Sequence, residues 1–178
     1  MQIRHATIDD IYLLIKLRIE YLLEENKLRE LKDIEIIKGK LREYFEKWIP
    51  LKGFTAYIAE DNGIVFSTAF LSIVERPPRT ANTSYYVGTV YNVFTYPQYR
   101  RKGIATKVMG ALLSDAESLG VASVDLLATE DGKPLYEKLG FIVPAYTPMR
   151  IKLKAGGNFL TTEQNLANMR DADKPLVD

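Results

Sequence analysis

The sequence predicts an α/β (α+β) protein with a mixed, mostly antiparallel central sheet of about six to seven strands flanked by helices. Three observations carry the prediction. The order of elements is strand, two helices, a meander of three strands, helix, strand, helix, then further strands. Asp61-Asn62-Gly63 joins two strand patterns through a strong hairpin signal, which makes that pair antiparallel. The helix beginning at Gly103 joins strand 85–95 to strand 123–129 as a crossover, which makes that pair parallel.

Each element has its own signal. Gln2 to Thr7 reads as a short first strand, and Asp9 or Asp10 can cap the helix after it. Ile11, Leu14, Ile15, Leu17, Arg18, Tyr21 and Leu22 form an amphipathic stripe to about Glu25. A second helix runs from about Ile34 to Trp48, and Pro50 ends it. Thr55–Glu60 and Ile64–Val74 are the hairpin strands. Arg76-Pro77-Pro78-Arg79 opens a polar loop reaching to about Ser84. Strand 85–95 is long enough to need a bulge or bend, with Gly88 as a candidate. The Gly103 helix extends to Leu119 and stops at Gly120. Ser123–Thr129 has few charges, as a buried central strand would. Asp131-Gly132-Lys133-Pro134 starts a short helix with proline in its first turn, and Gly140 ends it. Phe141–Val143 and Met149–Leu153 read as the last strands. The expected organisation is one domain, residues 1–154, followed by a tail, 155–178, with one weak helix at most.

Composition excludes several function classes. The 178 residues carry 24 basic and 23 acidic side chains, a net charge of +1, so no global field favours nucleic acid or a membrane surface. Any anion site must therefore be local. The chain has no cysteine, which excludes thiolate nucleophiles, disulfides and cysteine-ligated zinc and fits a reducing compartment. No apolar run is long enough to span a bilayer, and the N-terminus lacks a signal-peptide core, so a cytoplasmic location is expected.

The most informative stretch is Asn92 to Thr106. Val93, Phe94 and Thr95 end a strand, Pro97 stops it, and Arg100-Arg101-Lys102 precede Gly103. After Gly103 the apolar residues Ile104, Val108, Leu112 and Leu113 take up helical spacing. A helix N-terminus thus sits at a basic turn, where unpaired N–H groups and the positive dipole end suit an anion. Glycine lets a ligand come close to the backbone. The plainer alternative is a solvated charged loop before a helix.

Arg100-Arg101-Lys102-Gly103-Ile104-Ala105 resembles the Arg/Gln-x-x-Gly-x-Gly/Ala signature of the GCN5-related N-acetyltransferases, the GNAT family. Leu135-Tyr136-Glu137-Lys138-Leu139-Gly140-Phe141 is similar to that family's later helix, which carries a tyrosine just before the final strands. The order of elements over residues 2–153 is similar too. The resemblance implies the GNAT-like acyl-CoA N-acyltransferase fold and acetyl transfer from acetyl-CoA, as cosubstrate, to a primary amine of a small molecule or peptide. It implies that the backbone from Arg101 to Thr106 holds the pyrophosphate, with Arg100, Arg101 and Lys102 screening charge around Gly103, Ile104 and Ala105. It further implies that Val93, Phe94 and Thr95 pair with the pantetheine arm, and that a backbone N–H near Phe94 or Thr95 serves the oxyanion. Thr129 stands seven residues before Tyr136, where many family members carry an asparagine, and is counted with the cofactor-binding set.

Acetyl transfer to an amine needs amine deprotonation, oxyanion stabilisation and protonation of the leaving thiolate. Tyr136 is the candidate acid, since a phenol of pKa ~10 can donate to a thiolate whose acid lies near ~8.5. Its alternative is a packing tyrosine, one of 11 in the chain. The base has no clear candidate. Many family members use a glutamate on the strand before the basic turn, but strand 85–95 offers only Thr89, Tyr91 and Asn92. Glu130 and Asp131 lie just after the parallel strand and could act through water, although a surface charge for Glu130 and a helix cap for Asp131 explain them more simply. His5 is the single histidine and reads as structural, and no histidine–carboxylate cluster suits a metal.

In this family the acceptor site is shaped by the first two helices and the loop between strands, here residues 18–31 and 75–84. Glu20, Glu24 and Glu25 could attract a cationic amine there, although a solvated helix face explains them more simply. Tyr85, Tyr86 and Tyr91 could line the pocket. A rival reading keeps the fold but makes it a non-catalytic module that binds or senses acyl-CoA. A homodimer through exposed strands or the tail is compatible with the pattern.

Overall fold

The computed structural model describes residues 1–25, 30–77 and 86–151. Residues 1–142 form one compact unit and residues 143–178 a second. The first contains β1 (Gln2–His5), α1 (Ile11–Glu24), α2 (Leu31–Trp48), β2 (Phe54–Asp61), β3 (Ile64–Glu75), β4 (Tyr86–Thr95), α3 (Ile104–Ser118), β5 (Ser123–Asp125) and α4 (Lys133–Lys138). Short 3-10 turns at Ile8–Asp10 and Pro97–Tyr99 lead into α1 and follow β4. No helix among the described residues is long and apolar enough to cross a membrane.

The strands lie in the order β1-β2-β3-β4-β5. The first three pairings are antiparallel and β4–β5 is parallel. Asn62 and Gly63 both take positive φ, 48° and 76°, as the Asp61-Asn62-Gly63 turn requires. Period-two side chains divide the sheet between two cores. On one face Phe54, Ala56, Ile58 and Phe70 pack under Leu14, Leu17 and Phe45 from α1 and α2. On the other, Ala69, Leu71, Ile73 and Val90 pack under Val108, Met109 and Leu112 of α3.

Three sequence expectations need correction. The first is the strand count, since the described sheet has five strands rather than six or seven. Residues 141–143 and 149–151 are not strands; Ile142, Val143 and Met149 are exposed, and Phe141 N–H donates back to Tyr136 C=O at 3.0 Å, which folds the chain onto α4. Residues 152 and 153 of the expected last strand lie outside the described residues, as do 78–85 of the polar loop and strand start, and the tail. The second is the strand expected over 123–129, which pairs only over Ser123–Asp125 and lies at the described sheet's edge.

The third concerns the irregularity in β4. It falls at Asn92, not at Gly88. The β3–β4 register jumps from Phe70↔Tyr91 to Thr68↔Phe94, so Asn92 and Val93 together face Ala69. Asn92 takes φ 52°, a conformation asparagine tolerates better than most residues. Gly88 serves close packing instead: a Cβ there would sit 2.7 Å from Leu71 Cδ1 and 3.2 Å from Val124 Cγ2.

Candidate active site

Two irregularities in neighbouring segments build the site. The bulge at Asn92 bends β4, and β5 follows β4 only as far as Thr89↔Asp125. From Val90 to Thr95 one edge of β4 has no strand beside it among the described residues. An open strand edge is a row of backbone donors and acceptors that an extended ligand can use. Val93 and Phe94 keep their side chains in the protein, so this edge offers mainly backbone.

The second irregularity is the basic turn. Arg101 and Gly103 both adopt left-handed φ, 60° and 72°. Arg100 N–H donates to Pro97 C=O, and the next amide with a backbone acceptor is Lys107, which donates to Gly103 C=O. The amides of Arg101, Lys102, Gly103, Ile104, Ala105 and Thr106 have no acceptor among the described residues. Consecutive N–H groups around left-handed residues form a concave donor cradle, and the α3 dipole adds positive potential there. Beyond its chain neighbours, a Cβ built on Gly103 meets nothing among the described residues within 4 Å, so the turn is not packed over at that position. These free donors suit a diphosphate, so the residues present fit the nucleotide end of acetyl-CoA.

The basic side chains divide their roles. Arg100 does not point into the cradle: its Nη2 holds both Glu24 oxygens at 2.5 and 2.7 Å, and its Nε donates to Thr95 C=O at 2.8 Å. It ties the end of α1 to the end of β4. Lys102 Nζ donates to Gln98 C=O at 3.1 Å and lies over the Tyr99 ring. Arg101 is exposed. Thr129 Oγ1 accepts Gly132 N–H at 3.1 Å and its carbonyl accepts Lys133 N–H, so it closes the turn into α4.

Tyr136 stands on α4, packed against the α3 core and edge-to-face with Phe141 at 5.9 Å. Burial pushes its phenol above the usual range, which keeps the proton on Oη at neutral pH. Tyr21 of α1 has its own phenol raised by burial and then by its hydrogen bond to Glu25 at 2.5 Å. Tyr21 lies in the C-terminal part of α1.

That part of α1 carries groups that sequence reasoning valued too little. Glu20 accepts from the Tyr96 hydroxyl and Glu24 binds Arg100, so neither is a freely solvated charge. Arg18 leans on Asn92 Oδ1 at 3.4 Å and over the Tyr21 ring at 5.4 Å. Beyond Arg18 a cavity of about 350 Å³ is lined by Leu41, Tyr44, Phe45, Phe54, Phe70, Ser72 and Tyr91 as well. The signal was present in the sequence, as a lone arginine inside an otherwise apolar helix stripe. Of the tyrosines considered for an acceptor pocket, Tyr91 lines this cavity, Tyr86 lies on the strand's far end and Tyr85 lies outside the described residues.

His5 is structural. Its Nε2 is 2.7 Å from Thr55 Oγ1, which donates to Asp115 at 3.3 Å, and its ring packs on Tyr57. Thr55 sits between the other two and is buried, so this chain of groups is not arranged around a histidine base. Among the described residues no three His, Asp or Glu side chains converge as a metal site would need.

Comparison with known proteins gives the same assignment from outside the geometry. Residues 52–143 match the family model of the acetyltransferase (GNAT) domain. No curated protein sequence matches the chain. Among solved structures, a predicted acetyltransferase from Clostridium acetobutylicum, crystallised with acetyl-CoA, is 28% identical, with a TM-score of 0.73 over 84% of this chain and 95% of that one. A GCN5-related N-acetyltransferase from Ralstonia eutropha, 22% identical, shares the fold with a TM-score of 0.69 over 84% of this chain and 97% of that one. With the family model covering half the chain, and the bent β4, the free-amide turn and the tyrosine-bearing α4 in the family's order, the protein belongs to the GNAT acetyltransferase family.

Proposed function

We propose that the protein is an acetyl-CoA-dependent N-acetyltransferase that transfers acetyl directly to a primary amine of a small molecule or peptide, with residues 1–154 as the active domain. The observation that carries this reading is the run of unpaired amides from Arg101 to Thr106 beside an open edge of β4. The acetyl-CoA in the Clostridium structure supports the same cosubstrate.

In this reading the amides of 101–106 bind the diphosphate, and the backbone of Val93 to Thr95 aligns the pantetheine arm. Acetyl-CoA supplies a thioester whose C–S bond breaks as the amine nitrogen bonds the acetyl carbon, the amine losing a proton and the sulfur gaining one. Tyr136 holds that second proton on Oη. Its raised pKa keeps the donor loaded, and the apolar packing around its ring fixes its place on α4. β4 contributes no carboxylate, so the amine's proton leaves by another route than the strand glutamate of many relatives.

Thiol release from acetyl-CoA across an amine panel tests the activity. Tyr136→Phe keeps the ring and its packing while removing the proton. We expect kcat to fall by about 10²-fold or more, with acetyl-CoA affinity little changed. Unchanged turnover removes Tyr136 from the acid role. Tight acetyl-CoA binding with no thiol release for any amine moves the reading to a non-catalytic acyl-CoA-binding module.

A further inference from the structure

The cavity between α1, α2 and the sheet is more specific than an amine site requires. Its walls include Tyr44, Phe45, Phe54, Phe70 and Tyr91, and Arg18 is the only charged side chain among the described residues that line it. Arg18 has no carboxylate within ion-pair distance among the described residues; its hydrogen bond is the long one to Asn92 Oδ1. Beside it Asn92 Nδ2 is buried with no acceptor among the described residues. The spot thus holds a cation and an orphaned amide donor with no anion in contact among the described residues; Glu25, whose charge also acts on Arg18, accepts from Tyr21. Buried donors without acceptors are costly and uncommon in folded proteins. Burial also presses on the Arg18 charge, lowering its pKa from the usual value.

We propose that this cavity binds the acceptor's own carboxylate, so that the amine acetylated here belongs to an apolar amino acid or a similarly sized amphiphile whose carboxylate pairs with Arg18. The proposal rests on the N-acetyltransferase reading. A simple cationic amine placed here would meet the guanidinium as a like charge. A carboxylate matches its planar fork and takes up the donor excess. A phosphate dianion would need a second cation, which the described lining does not supply. Aromatic walls suit a hydrocarbon side chain, and a cavity of about 350 Å³ lies at the small-ligand end of the usual range. Tyr91 immediately precedes the β4 bulge at Asn92, and Asn92 Oδ1 accepts from Arg18, so an occupant anchored at Arg18 lies beside the bent part of β4.

The probes are N-acetylated leucine, phenylalanine, tyrosine and tryptophan, each against its C-terminal amide, titrated calorimetrically into the full chain. We expect at least one acid to bind about tenfold or more tighter than its amide, the value of a charge-assisted pair. Arg18→Gln removes that preference. Asn92→Asp supplies an internal carboxylate to Arg18 on a side chain that tolerates the same backbone, so it removes the preference while raising Tm, and it serves where Arg18→Gln does not fold. Equal binding of every acid and amide by the wild type overturns the proposal, as does an undiminished preference in Asn92→Asp. Binding needs no turnover. Selective acid binding without thiol release upholds the cavity assignment and sinks the transferase reading. Thiol release with neutral amines as readily as with amino acids does the reverse.

Discussion

Asp10 shows how one side chain fixes the entry to the fold. Its carboxylate takes the Arg4 guanidinium at 2.8 and 2.9 Å, and Oδ2 also accepts the Thr7 amide at 2.8 Å. Arg4 in turn reaches Glu60 on β2 at 2.9 Å, so β1, β2 and the start of α1 meet at one cation. Arg4 above all holds the Asp10 carboxyl below its ordinary 3.8. A carboxyl whose folded pKa is depressed stabilises the fold above its unfolded pKa and stops doing so as pH falls through the folded value. Asp10→Asn keeps an acceptor for Thr7 and loses the charge. At pH 7 it should cost about 1 kcal/mol, and the difference from wild type should shrink as pH falls from 3.8 through the lowered folded value. Urea melts from pH 7 to pH 2.5 measure it, and a difference that persists undiminished at the acid end would show that the pair is not its source.

At the scale of elements, β4 organises the site, and it also marks where sequence reading stops. Its position, its length and its parallel partner were legible because β-branched runs, Pro97 and the helical spacing after Gly103 are local signals. The location of its irregularity was not. Gly88 invited a bend because it lacks a side chain, whereas the bend sits at Asn92, where the register against β3 forces two residues opposite one. Register is a property of two strands and leaves no mark in one. The same holds for the last strands: Phe141–Val143 has a strand's composition, yet its first amide bonds back to α4. The site divides likewise. The cradle could be read from Gly103 and its neighbours, but the meeting of Arg18 with Asn92 across 74 positions could not. Gly88→Ala tests the corrected role. Its new methyl must displace Leu71, which is fully buried, and crowd Val124 where β4 meets β5. We expect a loss of about 1–3 kcal/mol by urea titration, as for overpacking elsewhere. A neutral result would mean that β5 yields easily.

For the whole molecule, the sheet is a platform whose opposite faces pack the helix that carries the free amides and the helices that wall the aromatic cavity. The α3 face buries Val108, Met109 and Leu112 and so fixes the helix whose N-terminus presents the free amides. The α1–α2 face holds the aromatic cavity and Arg18. β4 connects them through its bulge. Because the donor cradle exists before any ligand arrives, binding should stabilise the native state by mass action alone. At a ligand concentration 100 times Kd the gain is about 2.7 kcal/mol. For a chain of this length that corresponds to a rise in Tm of roughly 5–10 °C with acetyl-CoA. Gly103→Val separates the cradle from the rest. The left-handed φ of 72° strains a β-branched residue, so the free protein should lose about 1–2 kcal/mol. Beyond its chain neighbours no atom of the described residues lies within 4 Å of the new Cβ, so the side chain is not taken into the core and the strain falls on the turn that presents the amides. The variant should therefore melt a few degrees lower alone and lose most of the acetyl-CoA shift, read by differential scanning fluorimetry with and without the cosubstrate. A Gly103→Val protein that keeps the full shift would place the diphosphate elsewhere on the molecule.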